Sequence, residues 1–309
     1  VRERLSLVIG HSSFVIRPTT FAFCLLPFAF SVFFWAICYL LSAFGVLMQL
    51  TATIFLNETY KRLLLLWAYK FNFFTQMIMF GFIFIGISFF ISGGQPNAGQ
   101  LAPALLGYLL WFYALAAIGD MSWGLREETQ TGTLEQMYMS PLPTGVLMLG
   151  RSVASLIVST VMVSITAVVL ILLLNVHLPM RLAGVPIFAL TIAGLYGFAF
   201  MLAGATLIFK QVEALANALQ NMLLFLNGAF LPVDRLPGWL QIFAHTLPTT
   251  QGIIVLRRVV LDGASLAQVW QDGSLIWLTI HSTLYFVVGW FVFRWCEQKA
   301  RQRGALGQY

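Results

Sequence analysis

The chain has 309 residues, 60% hydrophobic and 9% charged, with a formal net charge of +6; soluble domains carry roughly 25% charged residues, so a fold bathed only in water is excluded. Lipid as solvent requires each spanning segment to satisfy its own backbone polar groups, which leaves helices or a closed barrel. A barrel needs stretches of about ten residues that alternate apolar and polar, whereas the apolar runs here, such as 71–94 and 151–176, are continuous and longer, so the fold class is an all-α integral membrane protein.

Residues 21–47 form the first apolar run, broken only by Pro27 and preceded by Arg2, Arg4 and Arg17. Its basic flank asks to be inside the cell, which would put 51–70 outside and invert every later loop. It is also too long for the apolar stretch of a signal peptide. The expectation is that Met48 is the natural start, with 1–47 an upstream extension and 48–309 the membrane domain; the alternative is an extra or re-entrant helix. Residues 51–70 then read as an interfacial entry helix, polar at Asn57, Glu58, Lys61 and Arg62 and apolar at Ile54, Leu63, Leu64, Leu66 and Trp67.

A transmembrane helix needs about twenty mostly apolar residues. Six stretches qualify, near 71–92, 101–119, 151–175, 182–208, 214–231 and 274–294. Between the last two, Pro232, Pro237 and Pro248 cut the chain into pieces too short to span. There Leu236, Leu240, Phe243 and Leu247 recur at helical spacing, and 253–261 continues the layer, so short interfacial or re-entrant helices are predicted. Short cytoplasmic loops retain Lys and Arg. With 51–70 inside, ten basic residues fall on that side (among them Lys61, Arg62, Arg126, Arg151 and Arg301) against Arg181, Arg235, Arg257 and Arg258 on the other. Both ends of the 48–309 unit are therefore expected in the cytoplasm, with loop 120–150 inside and 232–262 outside. Basic residues at helix ends, not clustered with interleaved aromatics, speak against nucleic acid as a partner.

The loop after the second span carries most of the information. It holds Asp120, Glu127, Glu128 and Glu135, four of the chain's eleven acids. Thr133 and Gln136 have capping-box spacing, so a helix is expected to start at Thr133 and to end at Ser140-Pro141. Leu134, Met137 and Tyr138 share one face of it. That apolar face needs cover, either a groove in another protein or the membrane surface and neighbouring helices.

The run Glu128-Thr-Gln-Thr-Gly-Thr-Leu-Glu135, followed by Ser140-Pro141-Leu142 and Gly150-Arg151, resembles the signature of the ABC-2 family of ABC transporter permeases, of the multidrug and daunorubicin export type. The resemblance extends from about residue 48 to the C-terminus and takes in Gly228-Ala-Phe-Leu-Pro232. It implies that this loop is the coupling helix that docks on a separate ATPase subunit, and that two permease copies, as a homodimer, work with two ATPases in the inner membrane of a bacterium. Glu127, Glu128, Gly132, Thr133, Leu134, Glu135, Met137, Tyr138, Ser140 and Pro141 would form the docking element, with Gly132 permitting the turn into its helix.

No lysine of the chain follows a glycine, so no phosphate-binding P-loop can form. ATP is expected in the partner ATPase, with no cofactor in this chain. The spans carry no acid away from their ends, which argues against an intramembrane enzyme or a proton relay. His281, inside the last span, and Ser152, Ser155, Ser159 and Ser164, in the third, are expected to serve helix packing. Cys24, Cys38 and Cys296 lack any metal-ligand spacing. The rival reading is a self-contained carrier or channel in which the loop is a mere connector.

Overall fold

The computed structural model describes residues 49, 52–91, 98–139, 143–176, 178–179, 181–209, 212–230 and 233–303. The start at Met48, the 1–47 extension, Ser140 and Pro141 lie outside them. The chain divides into two compact units, Val1–Thr53 and Ile54–Tyr309; the second contains the fold described below.

That unit opens with α1 over 54–68, a helix that leaves Leu64 and Trp67 exposed. Next come α2 (Lys70–Ile91) and α3 (Ala98–Gly119), a π-helical stretch Asp120–Gly124, and the short α4 (Leu125–Gln130) and α5 (Thr133–Tyr138). The long α6 (Thr144–Leu174) and α7 (Gly184–Ile208) precede α8 (Glu213–Leu226), and α9 (Gly238–Thr246), α10 (Thr250–Val260) and α11 (Leu266–Gln271) precede the final α12 (Ser274–Gln302). No strand occurs among the described residues. Five of their helices are long and apolar enough to cross a membrane: α2, the rod formed by α3 with its continuation to Gln130, α6, α7 and α12.

The stretch predicted as a sixth span, 214–231, behaves differently. Helix α8 has 14 residues, about 21 Å at 1.5 Å per residue, against roughly 30 Å of hydrocarbon. It ends where Asn227 turns its side chain onto its own backbone, Oδ1 accepting from the Ala229 N–H at 2.8 Å, and Gly228 takes φ +80°. Helices α9 to α11 follow, each shorter than α8.

Helix α3 is the hub. Tyr108 donates to the Phe80 carbonyl of α2 at 2.8 Å, and Trp111 Nε1 donates to the Gln220 carbonyl of α8 at 2.8 Å. Phe84, Tyr108, Trp111, Phe112 and Phe230 pack around these contacts, so each buried polar tip finds an acceptor. Helices α7 and α12 pair through glycines. A Cβ on Gly197 would lie 2.5 Å from the Phe286 backbone nitrogen, and one on Gly289 would lie 1.9 Å from the Gly197 carbonyl oxygen. Small residues allow this close approach, a recurrent packing device in membranes. The serines of α6 split: Ser152, Ser155 and Ser159 are buried, as packing residues should be, whereas Ser164 is exposed. His281 is buried between the rings of Trp277 and Tyr285, in a packing role.

Candidate functional site

The loop after α3 is stiff. The helical backbone runs without a break from Ala98 through the π-helical Asp120–Gly124 to Gln130, and π stretches inside helices are frequent at functional sites. Thr131 and Gly132 then turn the chain, Gly132 at φ +73°, a left-handed conformation that glycine adopts without a Cβ penalty. Thr131 Oγ1 donates to the Glu127 carbonyl at 2.9 Å and Thr133 Oγ1 to the Glu128 carbonyl at 3.2 Å. The Thr133 hydroxyl thus serves a carbonyl at the end of α4, and the Thr131 hydroxyl adds a second bond to the Glu127 carbonyl, which also accepts from the Thr131 N–H. Helix α5 starts at Thr133 as its sequence suggests, but the capping box expected with Gln136 is not what the Thr133 hydroxyl makes.

The apolar face of α5 turns inward. Leu134 is 1% exposed and shares the buried cluster of Met121, Leu125 and Met148, and Met137 is half-buried against it. Of the two covers that the sequence left open for this face, neighbouring helices of the same chain supply it for these two residues. Glu127, Gln130, Thr131, Thr133, Gln136 and Met139 are exposed, Met139 at 78%. The side chains of Glu135 and Tyr138 lie outside the described residues.

Glu128 belongs to an ion network that ties four elements together. Asp120, at the start of the π stretch, accepts from Arg62 Nη2 of α1 at 2.7 and 2.9 Å. Arg151 of α6 reaches the same carboxylate, through Nε at 3.4 Å and Nη2 at 3.3 Å, and its Nη2 also donates to the Asp120 carbonyl at 3.0 Å. The other arm of Arg151 donates to Glu128 of α4. The side chains of Arg151 and Asp120 are 8% and 13% exposed, so these are desolvated charges in mutual balance. Gly124 makes room for them, because a Cβ there would stand 2.3 Å from Arg151 Nη2. Arg126 adds a 2.6 Å pair to Glu213 at the start of α8.

Next to this network the start of α6 meets the end of α12. Thr144 donates to the buried Glu297 carboxylate, which also accepts from Arg301 at 2.7 Å. A carboxylate beside the first residue of a helix complements its dipole. The loop is therefore anchored by Leu134 inside and by charges around its base, with a polar face and Met139 outward. Arg62 and Arg151, missing from the candidate set read off the sequence, hold it in place. The available signal was unlike charge at the ends of apolar spans, where intramembrane and near-membrane ions pair.

Comparison with known proteins agrees with this geometry. The model of the ABC-2 type transporter family matches residues 121–261, from the π stretch to the end of α10. Two curated relatives, each described as "Probable multidrug ABC transporter permease YbhR", come from Escherichia coli strain K12 and Escherichia coli O157:H7. Each is 30% identical over 163 residues, covering 51% of this chain and 44% of the relative. The match thus spans less than half the length of those relatives.

Proposed function

We propose, on the premise that an ABC-2 type transporter domain occupies residues 121–261, that this multi-pass membrane protein is the permease subunit of an ATP-driven exporter. ATP is bound and hydrolysed by a separate ATPase subunit, and a second permease copy completes the transporter in a bacterial inner membrane. The observation that carries this reading is how the loop is held: its first half, to Gln130, is an uninterrupted extension of a spanning helix pinned to α6 through Arg151, and its second half, after the turn at Gly132, is seated in the bundle by Leu134. A motion of the ATPase against such a loop passes into the spans without being absorbed by a flexible joint.

In this reading the docking element is the 127–141 segment, with a division of labour. Glu127, Thr133, Gln136 and Met139 meet the ATPase; Gly132 makes the turn; Leu134 and Met137 fasten the element to the bundle; Glu128 locks it to Arg151. Glu135, Tyr138, Ser140 and Pro141 complete it. Helix α8 and the turn after it form a sixth crossing, α9 to α11 a layer at the outer face, and both ends of the domain are cytoplasmic. Arg62, Arg126, Arg151, Arg294, Lys299 and Arg301 gathered at the loop end outnumber Arg181, Arg235, Arg257 and Arg258 at the other, which supports that orientation. The cargo is amphipathic or hydrophobic, in keeping with 15% aromatic residues and 9% charged ones.

The test is co-purification in mild detergent of wild type and Met139→Asp, with bound ATPase identified by mass spectrometry and by ATP hydrolysis in the eluate. The expected result is a P-loop ATPase with wild type and at least a tenfold loss of it with Met139→Asp at an unchanged unfolding temperature. Folded wild type that binds no ATPase and transports alone would overturn the reading in favour of a self-contained carrier.

A further inference from the structure

A cavity of about 550 Å³ lies between the α1–α2 arm, α3 and α6, within the range of pockets that hold drug-sized molecules. Its body is apolar, built by Phe73, Phe80 and Phe112 on one side and Val158, Met162 and Val163 on the other. Of its polar groups, Ser155 and Ser159 lie on α6, with the Ser159 hydroxyl already spent on the Ser155 carbonyl at 2.7 Å, and the rest gather on the other side. Tyr69, Asn72 and Gln76, at i, i+3 and i+7, line it from one face of the helical arm, and Arg62 and Asp120 close the end nearest the loop.

Two of these features call for an occupant. Asn72 and Gln76 sit on a spanning helix, where a carboxamide facing hydrocarbon without a partner is costly, and neither has a hydrogen-bond partner among the described residues. Arg62 spends Nη2 on Asp120, but its Nε is buried and unpaired among them. A donor on Arg62 and two carboxamides, each able to donate and accept, match a head with several oxygen acceptors. Arg62 and Asp120 cancel in charge, which selects a neutral or zwitterionic head over a strongly charged one. The aromatic and aliphatic walls match a single apolar tail.

We propose that this cavity binds a single-chain amphipath with a neutral or zwitterionic, oxygen-rich head, the head at Arg62, Asn72 and Gln76 and the tail along α3 and α6. The site is complete within this chain and does not depend on the coupling reading, so the purified protein without any ATPase serves for the test.

The probe is a photoactivatable lysophosphatidylcholine, with cross-linked peptides mapped by mass spectrometry. Cross-links should concentrate on 69–80, 112–123 and 155–163 and be displaced by excess unlabelled lysophosphatidylcholine. They should fall at least fivefold in Ala116→Phe, which fills the cavity, and in the Asn72→Leu, Gln76→Leu double variant, which keeps its shape. Thr75→Val, next to the cavity but not lining it, should leave them unchanged. If Ala116→Phe does not fold, the double variant decides. A single-chain amphipath found by extraction in stoichiometric amount would mark a resident lipid, and its absence alongside saturable probe binding would mark a ligand from outside; both uphold the site. Labelling equally strong at Val168, Val169 and Leu172 on the exposed face of α6, and indifferent to all the cavity variants, would overturn it.

Discussion

At the end of the bundle that carries the loop, arginines meet carboxylates: Arg62 and Arg151 share Asp120, Arg151 also holds Glu128, and Arg126 pairs with Glu213. At the other end Arg257 of α10 meets carbonyls instead, donating to Pro103 of α3 at 3.1 and 2.7 Å and to Ala229 at 2.7 Å. Around it Leu106, Leu110, Ile253, Leu256 and Val259 form a separate apolar cluster, and the ion pair at that end, Arg258 with Asp272, is 39% and 50% exposed. The two solutions differ in what they permit. Carboxylates on side chains can change partners when helices shift, whereas backbone carbonyls stay where their helices put them. The loop end is built from exchangeable contacts and the far end from fixed ones.

The sharpest way to break this contrast is Asp120→Ala. It takes the carboxylate from both Arg62 and Arg151, leaving Arg151 with Glu128 and the backbone carbonyl of residue 120, and breaking a buried pair costs about 3–5 kcal/mol; thermal unfolding in detergent should show the loss, together with loss of ATPase recovery. Next comes Arg257→Met, which strips donors from two carbonyls and should cost about 1–3 kcal/mol while leaving ATPase recovery intact. Burial pushes the Arg257 guanidinium down to about 10, below its ordinary value, so it stays charged at neutral pH. Above that pH the unfolded chain still holds the proton that the folded chain has released, so this group's contribution makes stability rise with pH above about 10 and leaves it flat below. Gly124→Ala drives a methyl into Arg151 and should cost about 1–2 kcal/mol by overpacking, with the Arg151–Glu128 contact loosened in hydrogen exchange of α4. The smallest effect belongs to Glu213→Gln: its pair with Arg126 is partly exposed, so about 0–1 kcal/mol is expected, vanishing in high salt.

The sequence and the structure agree most closely where local pattern decides. Uninterrupted apolar runs located α2, α3, α6, α7 and α12, and Gly132 located the turn before α5. The 214–231 run did not give the end of its helix, because apolarity alone does not say where a helix stops; the Asn227 side chain and the φ of Gly228 stop it at Leu226. The burial of Leu134 was likewise invisible, since an apolar face on a short helix does not specify what covers it. The network around Asp120 joins residues 58 and 31 positions apart, a pairing that no local pattern encodes. Serine content suggested close packing all along α6, yet Ser164 points away, because only one side of that helix faces the bundle.

The glycine contact between α7 and α12 fixes a frame of reference. With Gly289 against the Gly197 carbonyl and too little room for a methyl group, these two helices are held as one body. Sliding would drive the Phe286 backbone into α7, so a rearrangement of the bundle is expected to move other helices past the pair and not the two against each other. A spectroscopic ruler between α7 and α12 should therefore read one constant distance through the cycle, and it is the right internal standard for probes placed on α3 or α6.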